Sequence, residues 1–316
     1  MQQAVSPTPH PSVKQLQEAA GQVDSIVLGK SRQVRLALTC LLAGGHLLIE
    51  DIPGVGKTTL AQTLARVMGL DYQRIQFTSD LLPADIIGAA IFERDTSTFR
   101  FHPGPLFAQL VLADEVNRAT PKTQSALLEA MEERQATVDG ETRALPEPFF
   151  VIATQNPNYQ IGTFPLPESQ LDRFLMCLDL GYPNRAAERE LLKGRDRREA
   201  LGQLQPALQL AQLQTLQQAV QAVHASDALL DYIQALVDHS RQAPEFASGL
   251  SPRGALALLR AARAWALLAG RNHVLPEDVQ AILPGVTRHR LQASSDTENR
   301  HTTDTPSLLL KAVPVP

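Results

Sequence analysis

Apolar and polar residues alternate along this chain with two periods, and the switch between them divides it into parts. Val13 to Val23 and Ser31 to Leu42 carry apolar residues at helical spacing, joined by Ile26-Val27-Leu28-Gly29-Lys30. A short apolar run at 46–50 predicts a strand. A helix from Lys57 to about Met68 follows, with Leu60, Leu64, Val67 and Met68 apolar and Gly69 placed to end it. Asp71 to Phe77 is a second strand. Leu110 to Ala113 and Phe149 to Ala153 are unbroken apolar runs suited to strands buried on both faces of a parallel sheet, and Leu175 to Leu180 is a candidate fifth.

Two hairpins interrupt this alternation. Ala89–Phe92 and Thr98–His102 flank Glu93–Ser97, inside what would otherwise be a strand-to-helix connection. Arg134–Val138 and Thr142–Leu145 flank Asp139-Gly140, a strong two-residue turn signal. Between them Thr120-Pro121 opens a helix, with threonine at the cap and proline at the first position. From Asn184 onward strand patterns give way to helical ones, at roughly 185–200, 206–223, 226–241, 252–269 and 276–283. The expectation is a flexible leader over 1–12, an α/β domain over 13–183, and a smaller all-α domain over 184–292. Residues 293–316 are expected to be a solvated linker (294–305) and an apolar end, Leu308–Val315.

The junction between the first strand and the Lys57 helix carries the chemistry. Glu50-Asp51-Ile52-Pro53-Gly54-Val55-Gly56-Lys57-Thr58-Thr59 is strand, glycine turn and helix start in succession, the context a phosphate-binding loop requires. Gly54 and Gly56 can aim successive N–H groups inward at an anion. Lys57 would add a point charge near the β- and γ-phosphates, and Thr58 a hydroxyl for Mg²⁺. Asp51 stands where the full pattern has glycine. The sequence predicts a nucleoside triphosphate site.

Composition adds little to this and excludes several classes. The 316 residues allow about two domains. A formal net charge of −4 argues against a chain built mainly to grip nucleic acid or anionic membrane. Leu36 to Ile49, the longest apolar tract, is too short to span a bilayer and is broken by Gly44-Gly45-His46. Met1 to Val13 has no apolar core or basic start, so no signal peptide is expected, and the compartment is expected to be cytoplasmic. Cys40 and Cys177 lie in separate apolar stretches and read as buried free thiols.

Asp114-Glu115 ends an apolar strand 57 residues after Lys57. In parallel sheets ligands gather at the strand C-termini, where one acid can hold Mg²⁺ and a second can polarise water. Two acids can also merely terminate a strand, and the phosphate loop is what favours the functional reading. Asn156 closes the next buried strand, and by spacing alone it reads as a turn residue before Pro157. Arg173 can simply pair with a neighbouring acid. Arg253 follows Ser251-Pro252 at a helix N-terminus, where an anion is favoured, yet a surface ion pair is equally compatible. Eight histidines show no metal-ligand spacing. Arg288-His289-Arg290 is a small basic cluster compatible with an exposed helix face.

Taken together the chain resembles the MoxR family of AAA+ ATPases. The resemblance rests on Glu50–Thr59, Arg74–Leu82, Phe99–Leu106, Val111–Arg118, Thr123–Arg134, Phe149–Pro157, Leu166–Phe174 and Gly249–Gly254. Leu283-Pro284-Gly285-Val286 with Arg288-His289-Arg290 extends it toward residue 292. It implies a P-loop NTPase core with a parallel five-stranded sheet and a small all-α lid. It implies ATP and Mg²⁺, with Pro53, Gly54, Val55, Gly56, Lys57, Thr58 and Thr59 forming Walker A, and Gly29-Lys30 bordering the adenine. Thr58 and Asp114 would hold the metal, and Glu115 would activate water. Asn156 would be sensor 1, Arg253 sensor 2, and Arg173 the finger that reaches a neighbouring subunit's site. The hairpin at 89–102 resembles the family's helix-2 insert, and 134–145 its hairpin before sensor 1.

The implied activity is hydrolysis of ATP to ADP and phosphate in a ring, expected to be a hexamer, driving chaperone-like maturation of a client protein complex. A separate von Willebrand factor A-type protein is the expected partner. Membrane insertion is not expected, and nucleic acid is disfavoured because neither hairpin is net basic: Glu93, Arg94 and Asp95 in one, Arg134, Asp139, Glu141 and Arg143 in the other. The alternatives are a nucleotide-gated scaffold with little turnover, a metal-chelatase-like subunit or a DNA-associated motor. Retention of Glu115, Asn156 and Arg173 weighs against the scaffold.

Overall fold

The structure is a computed structural model that describes residues 13–156, 162–194, 197–294 and 304–315. The expected leader (1–12), Pro157 and most of the expected linker lie outside the described residues. Among the described residues nine strands belong to the α/β half: β1 (Leu47–Glu50), β2 (Tyr72–Gln76), β3 (Gly88–Glu93), β4 (Thr98–Pro103), β5 (Leu110–Asp114), β6 (Gln135–Val138), β7 (Glu141–Ala144), β8 (Phe150–Gln155) and β9 (Met176–Leu178). Five of them form one parallel sheet in the order β2-β5-β8-β1-β9.

The apolar runs explain why this sheet is covered on both sides. Leu47 and Ile49, Leu110 and Leu112, Phe150 and Ile152, and Met176 and Leu178 face one core. The intervening Leu48, Val111, Ala113, Val151, Ala153 and Cys177 face the other. The period of two therefore holds within runs that look uniformly apolar. Helix Lys57–Val67 covers the first face together with Val13–Ile26 and Ser31–Leu42, and Pro121–Glu133 covers the second. Thr120 precedes the last of these, but its side chain caps no backbone N–H. The Thr123 hydroxyl instead donates to the Leu81 carbonyl at 2.7 Å, tying this helix to the loop after β2.

The two hairpins stand outside the sheet: β3–β4 and β6–β7, each antiparallel. They touch each other, with the Arg143 guanidinium 4.2 Å from the Phe101 ring.

Several expectations for the C-terminal half change in detail. The helix expected over 185–200 is two, Arg185–Leu192 and Arg197–Gln203. Leu210–Ala222, Asp227–Gln242, Pro252–Leu268 and Pro276–Thr287 follow, the last running through Pro284. The region is not wholly helical, because Phe246–Ser248 pairs antiparallel with Gln292–Ala293. The apolar C-terminus forms a helix, Thr305–Ala312, that packs on Asp227–Gln242 and Pro276–Thr287. Its N-cap, Asp304, accepts from the Ser307 N–H at 3.3 Å. Leu213, Leu216, Leu258 and Ala261 join the same buried cluster as Leu16, Leu38 and Leu41, so the lid is packed on the first two helices of the chain.

Candidate nucleotide site

The loop after β1 turns through Gly54 (φ 85°) and Gly56 (φ 99°), both in the left-handed region, and helix Lys57–Val67 starts at once. A Cβ built on either glycine meets nothing within 4 Å, so the loop opens on clear space. The first-turn N–H groups of an 11-residue helix point into that space, which suits an anion. Pro53, Val55, Thr58 and Thr59 line the same turn and first helical turn.

Lys57 is buried, and its ammonium donates to the Asp51 carbonyl at 2.6 Å and to the Asn156 side-chain oxygen at 3.1 Å. Burial pushes the Lys57 ammonium below its ordinary range, while Asp114, Asp51 and Glu115 pull it back up. The Asn156 amide nitrogen donates in turn to Glu115 at 3.3 Å. Asn156 thus stands between the loop lysine and the strand-end glutamate, a role that spacing alone did not indicate.

Asp114 and Glu115 are held separately. The Thr154 hydroxyl donates to Asp114 Oδ1 at 2.6 Å and accepts from the Glu115 N–H at 2.9 Å. Arg74, on the neighbouring β2, reaches Asp114 Oδ2 at 2.7 Å. Glu115 takes a left-handed backbone (φ 57°), and its carboxylate accepts from Arg118 at 2.8 Å and from Gln76 at 3.1 Å. Arg74, Gln76 and Thr154 lay in recognisable segments but carried no signal as site residues. Strand parity is the hint for the first two, since Arg74 and Gln76 are two apart on β2 and reach Asp114, the last residue of β5, and Glu115 just after it.

Asp51 has its own structural task. Its carboxylate accepts from the N–H groups of Ile52 (2.7 Å), Leu180 (2.7 Å) and Gly181 (2.6 Å). The phosphate loop is thereby tied to the segment after β9. That segment also receives Lys30, a buried lysine donating to the carbonyls of Gly181 (3.1 Å) and Tyr182 (2.6 Å). Gly29 (φ 71°) lies beside it, where a Cβ would come within 2.9 Å of Ala187. Gly29-Lys30 is therefore joined, through residues 180–187, to the same loop.

Arg173 and Arg253 occupy the opposite edge. Arg253 pairs with Glu132 at 2.6 Å, and Arg173 lies 4.0 Å from the same carboxylate and donates to the Leu128 carbonyl at 2.6 Å. Glu132 lies in the last turn of the helix Pro121–Glu133, next to where β1 begins: the His46 ring contacts the Met131 carbonyl at 3.2 Å, and Arg134 reaches the Gly44 carbonyl at 3.2 Å. The phosphate loop leaves the other end of β1, four residues on, which at about 3.3 Å per residue is on the order of 13 Å away. The structure brings Lys57, Asp114, Glu115 and Asn156 together, and it sets Arg173 and Arg253 apart as a second group.

The basic triplet Arg288-His289-Arg290 is an exposed face only at Arg288, which pairs with Asp179 at 2.9 Å. Arg290 is buried on Asp172, and the His289 ring contacts the Phe174 carbonyl at 2.9 Å, with burial holding its pKa well below the ordinary range. Both cysteines are buried free thiols.

A family profile described as ATPase family associated with various cellular activities (AAA) matches residues 46–176, and one described as AAA lid domain matches residues 238–308. Chaperone MoxR1 of Mycobacterium tuberculosis is 41% identical over 297 residues, covering 90% of this chain and 77% of the relative. Protein MoxR of Paracoccus denitrificans is 34% identical over 326 residues, covering 95% and 96%. This chain belongs to the MoxR family of AAA+ ATPases. YeaC of Bacillus subtilis is 47% identical over 276 residues, covering 87% and 86%. A crystal structure of a Cytophaga hutchinsonii protein assigned as an ATPase superposes with a TM-score of 0.87 at 35% identity, covering 96% of each chain. The AAA core is thus the domain built on the parallel sheet, and the helical domain behind it carries the AAA lid. No described helix is long and apolar enough to cross a membrane.

Proposed function

We propose that this MoxR-type ATPase hydrolyses ATP to ADP and phosphate in a Mg²⁺-dependent reaction, in a ring where each subunit completes its neighbour's site. The observation that carries the reading is the Lys57–Asn156–Glu115 chain of contacts, with Asp114 alongside. Glu115 is aligned by Asn156, Gln76 and Arg118 to orient a water, and Lys57 is aimed from the loop. Among the described residues no three His, Cys, Asp or Glu side chains could cage a metal by themselves. That suits Mg²⁺, which is held by one or two carboxylates and by substrate phosphates. Thr58 and Asp114 are the oxygen donors that would hold it, and the ion would neutralise charge on the transferring phosphoryl group.

Phosphoryl transfer depends on positioning and charge stabilisation, and an arginine supplied by a partner is worth about 10³–10⁵ in rate in related systems. Arg173 and Arg253, on the edge away from this chain's own loop, are suited to supply that charge to the adjoining subunit. The ring is proposed to be a hexamer. The proposed cellular role is chaperone-like maturation of a client protein complex in the cytoplasm, with a separate von Willebrand factor A-type protein as partner. The β3–β4 hairpin would contact the client. Its Arg100 and His102 are each 3.6 Å from Glu93, and its tip, Glu93, Arg94 and Asp95, is not net basic, which disfavours phosphate contact.

Turnover per subunit should rise with protein concentration, be abolished by Glu115→Gln and fall steeply with Arg173→Ala while ATP still binds. Flat, concentration-independent turnover would favour the nucleotide-gated scaffold instead. A pull-down with Glu115→Gln in the presence of ATP identifies the client.

A further inference from the structure

We infer that Arg290 is a positioning residue: it holds the Asp172–Phe174 segment of the core and, through Asp172, sets Arg173 and Arg253 on one face. The inference rests on the reading of those two arginines as groups that act on a neighbouring subunit's nucleotide.

A guanidinium has five N–H donors, and in Arg290 all five are used. Nε donates to Asp172 Oδ1 at 2.7 Å. Nη1 donates to the carbonyls of Leu175 (3.2 Å) and Val286 (2.5 Å). Nη2 donates to those of Asp172 (3.0 Å) and Phe174 (2.7 Å). The side chain is 4% exposed. Arg290 comes from the lid, just past the helix Pro276–Thr287, yet it grips the core backbone on both sides of Arg173, at residues 172 and 174.

The other oxygen of the Asp172 carboxylate continues the connection. It accepts from the Ser251 hydroxyl at 2.9 Å. That hydroxyl also accepts from the Gly254 N–H at 3.0 Å and so caps the helix that carries Arg253 in its first turn. One carboxylate therefore connects the loop bearing Arg173 to the helix bearing Arg253, and both arginine heads converge on Glu132. Arg173 itself follows a four-residue helix, Glu168–Leu171, too short to fix an orientation unaided. A lysine at position 290 has three donors on a flexible stem and could not hold all five acceptors.

The test uses the full chain assembled with ATP and Mg²⁺. Arg290→Gln is expected to lower kcat about 10–100-fold, the scale of a 1 Å misplacement, while the ATP KM stays within about twofold. Arg290→Lys, which keeps the charge and folds more readily, is expected to fall between Gln and the parent. The decisive readout is a mixture of two variants. Arg290→Gln has an intact nucleotide pocket and a disordered arginine face, and Glu115→Gln has a pocket that binds ATP without hydrolysing it and an ordered arginine face. Mixed rings of the two should turn over faster than either variant alone, as should a mixture of Arg173→Ala with Glu115→Gln. If Arg290→Gln does not assemble, Arg290→Lys takes its place in the mixture. An Arg290 variant with parental kcat overturns the inference. So does a mixture that stays silent while the Arg173→Ala mixture recovers, since the damage then lies in the variant's own pocket. Silence in both mixtures overturns the reading of a site completed in trans, and the inference with it.

Discussion

The Asn156 carboxamide donates to the Glu115 carboxylate at 3.3 Å while its oxygen accepts from Lys57 at 3.1 Å. A neutral amide can serve both partners at once because it carries a donor and an acceptor on one planar group. Removing it takes away a preorganised contact without altering the charge of the site. Asn156→Ala is therefore expected to lower kcat about 10²-fold, the scale seen for loss of one aligned polar group, with a smaller change in ATP KM. Steady-state kinetics on assembled protein measures this, and an unchanged kcat would remove Asn156 from the site.

Asp51 should be needed for stability even though the full phosphate-loop pattern has glycine at that position. Three backbone N–H groups, at Ile52, Leu180 and Gly181, lose their acceptor in Asp51→Gly. Unpaired buried donors and a looser loop are expected to cost about 2–4 kcal/mol, with Asp51→Asn costing less. Urea denaturation of the two variants decides it. A midpoint for Asp51→Gly equal to the parent's would mean these bonds contribute nothing.

His46 should make the fold sensitive to mild acid. Its Nδ1 accepts from the Val151 N–H at 3.0 Å, leaving Nε2–H to face the Met131 carbonyl, so a second ring proton would oppose the Val151 donor. Burial pushes its pKa down to about 4, against about 6.5 for an unfolded chain. The unfolded state binds the proton more readily, so this contribution is fully present above pH 6.5 and is lost as the pH falls toward 4. His289, lowered by burial in the same way, acts in the same direction. The stability at pH 4 should be lower by an amount on the order of 3 kcal/mol from His46 alone. Urea midpoints measured between pH 7.5 and 4.5 should fall along this range, and His46→Gln should flatten the slope; a parental midpoint independent of pH contradicts it.

The outer hairpin should tolerate change without loss of fold. Phe92 and Phe99 stack edge to face at 5.3 Å near its tip, and Phe99 is 75% exposed. An aromatic pair left in water suggests contact with another molecule. Phe99→Asp is expected to change stability by less than about 0.5 kcal/mol and to leave basal ATP turnover intact. Client retention by a Glu115→Gln chain carrying the same change should fall. Retention at the parental level would take this tip out of the client interface.

Much of this protein is decided locally, and that part was readable in advance. The open turn after β1 follows from two glycines that can take positive φ, set between an apolar run and a helix start. Four strands of the sheet follow from unbroken apolar runs that still alternate between two cores, while β2 is a mostly polar edge strand. Both hairpins are set by local turn chemistry and short-range pairing.

What the tertiary structure alone decided are contacts between residues far apart in the chain. Asp51 with Leu180 and Gly181, Arg74 with Asp114, and Glu132 with both Arg173 and Arg253 leave no periodic trace. Arg290 is the clearest case. Beside Arg288 and His289 its charge reads as a solvated surface, and only the approach of the lid to residues 172–175 supplies four of the five acceptors that allow its side chain to be buried, the fifth being the Val286 carbonyl one helical turn back. A lone charge is not buried unless partners arrive from elsewhere in the fold, and sequence spacing does not encode that arrival.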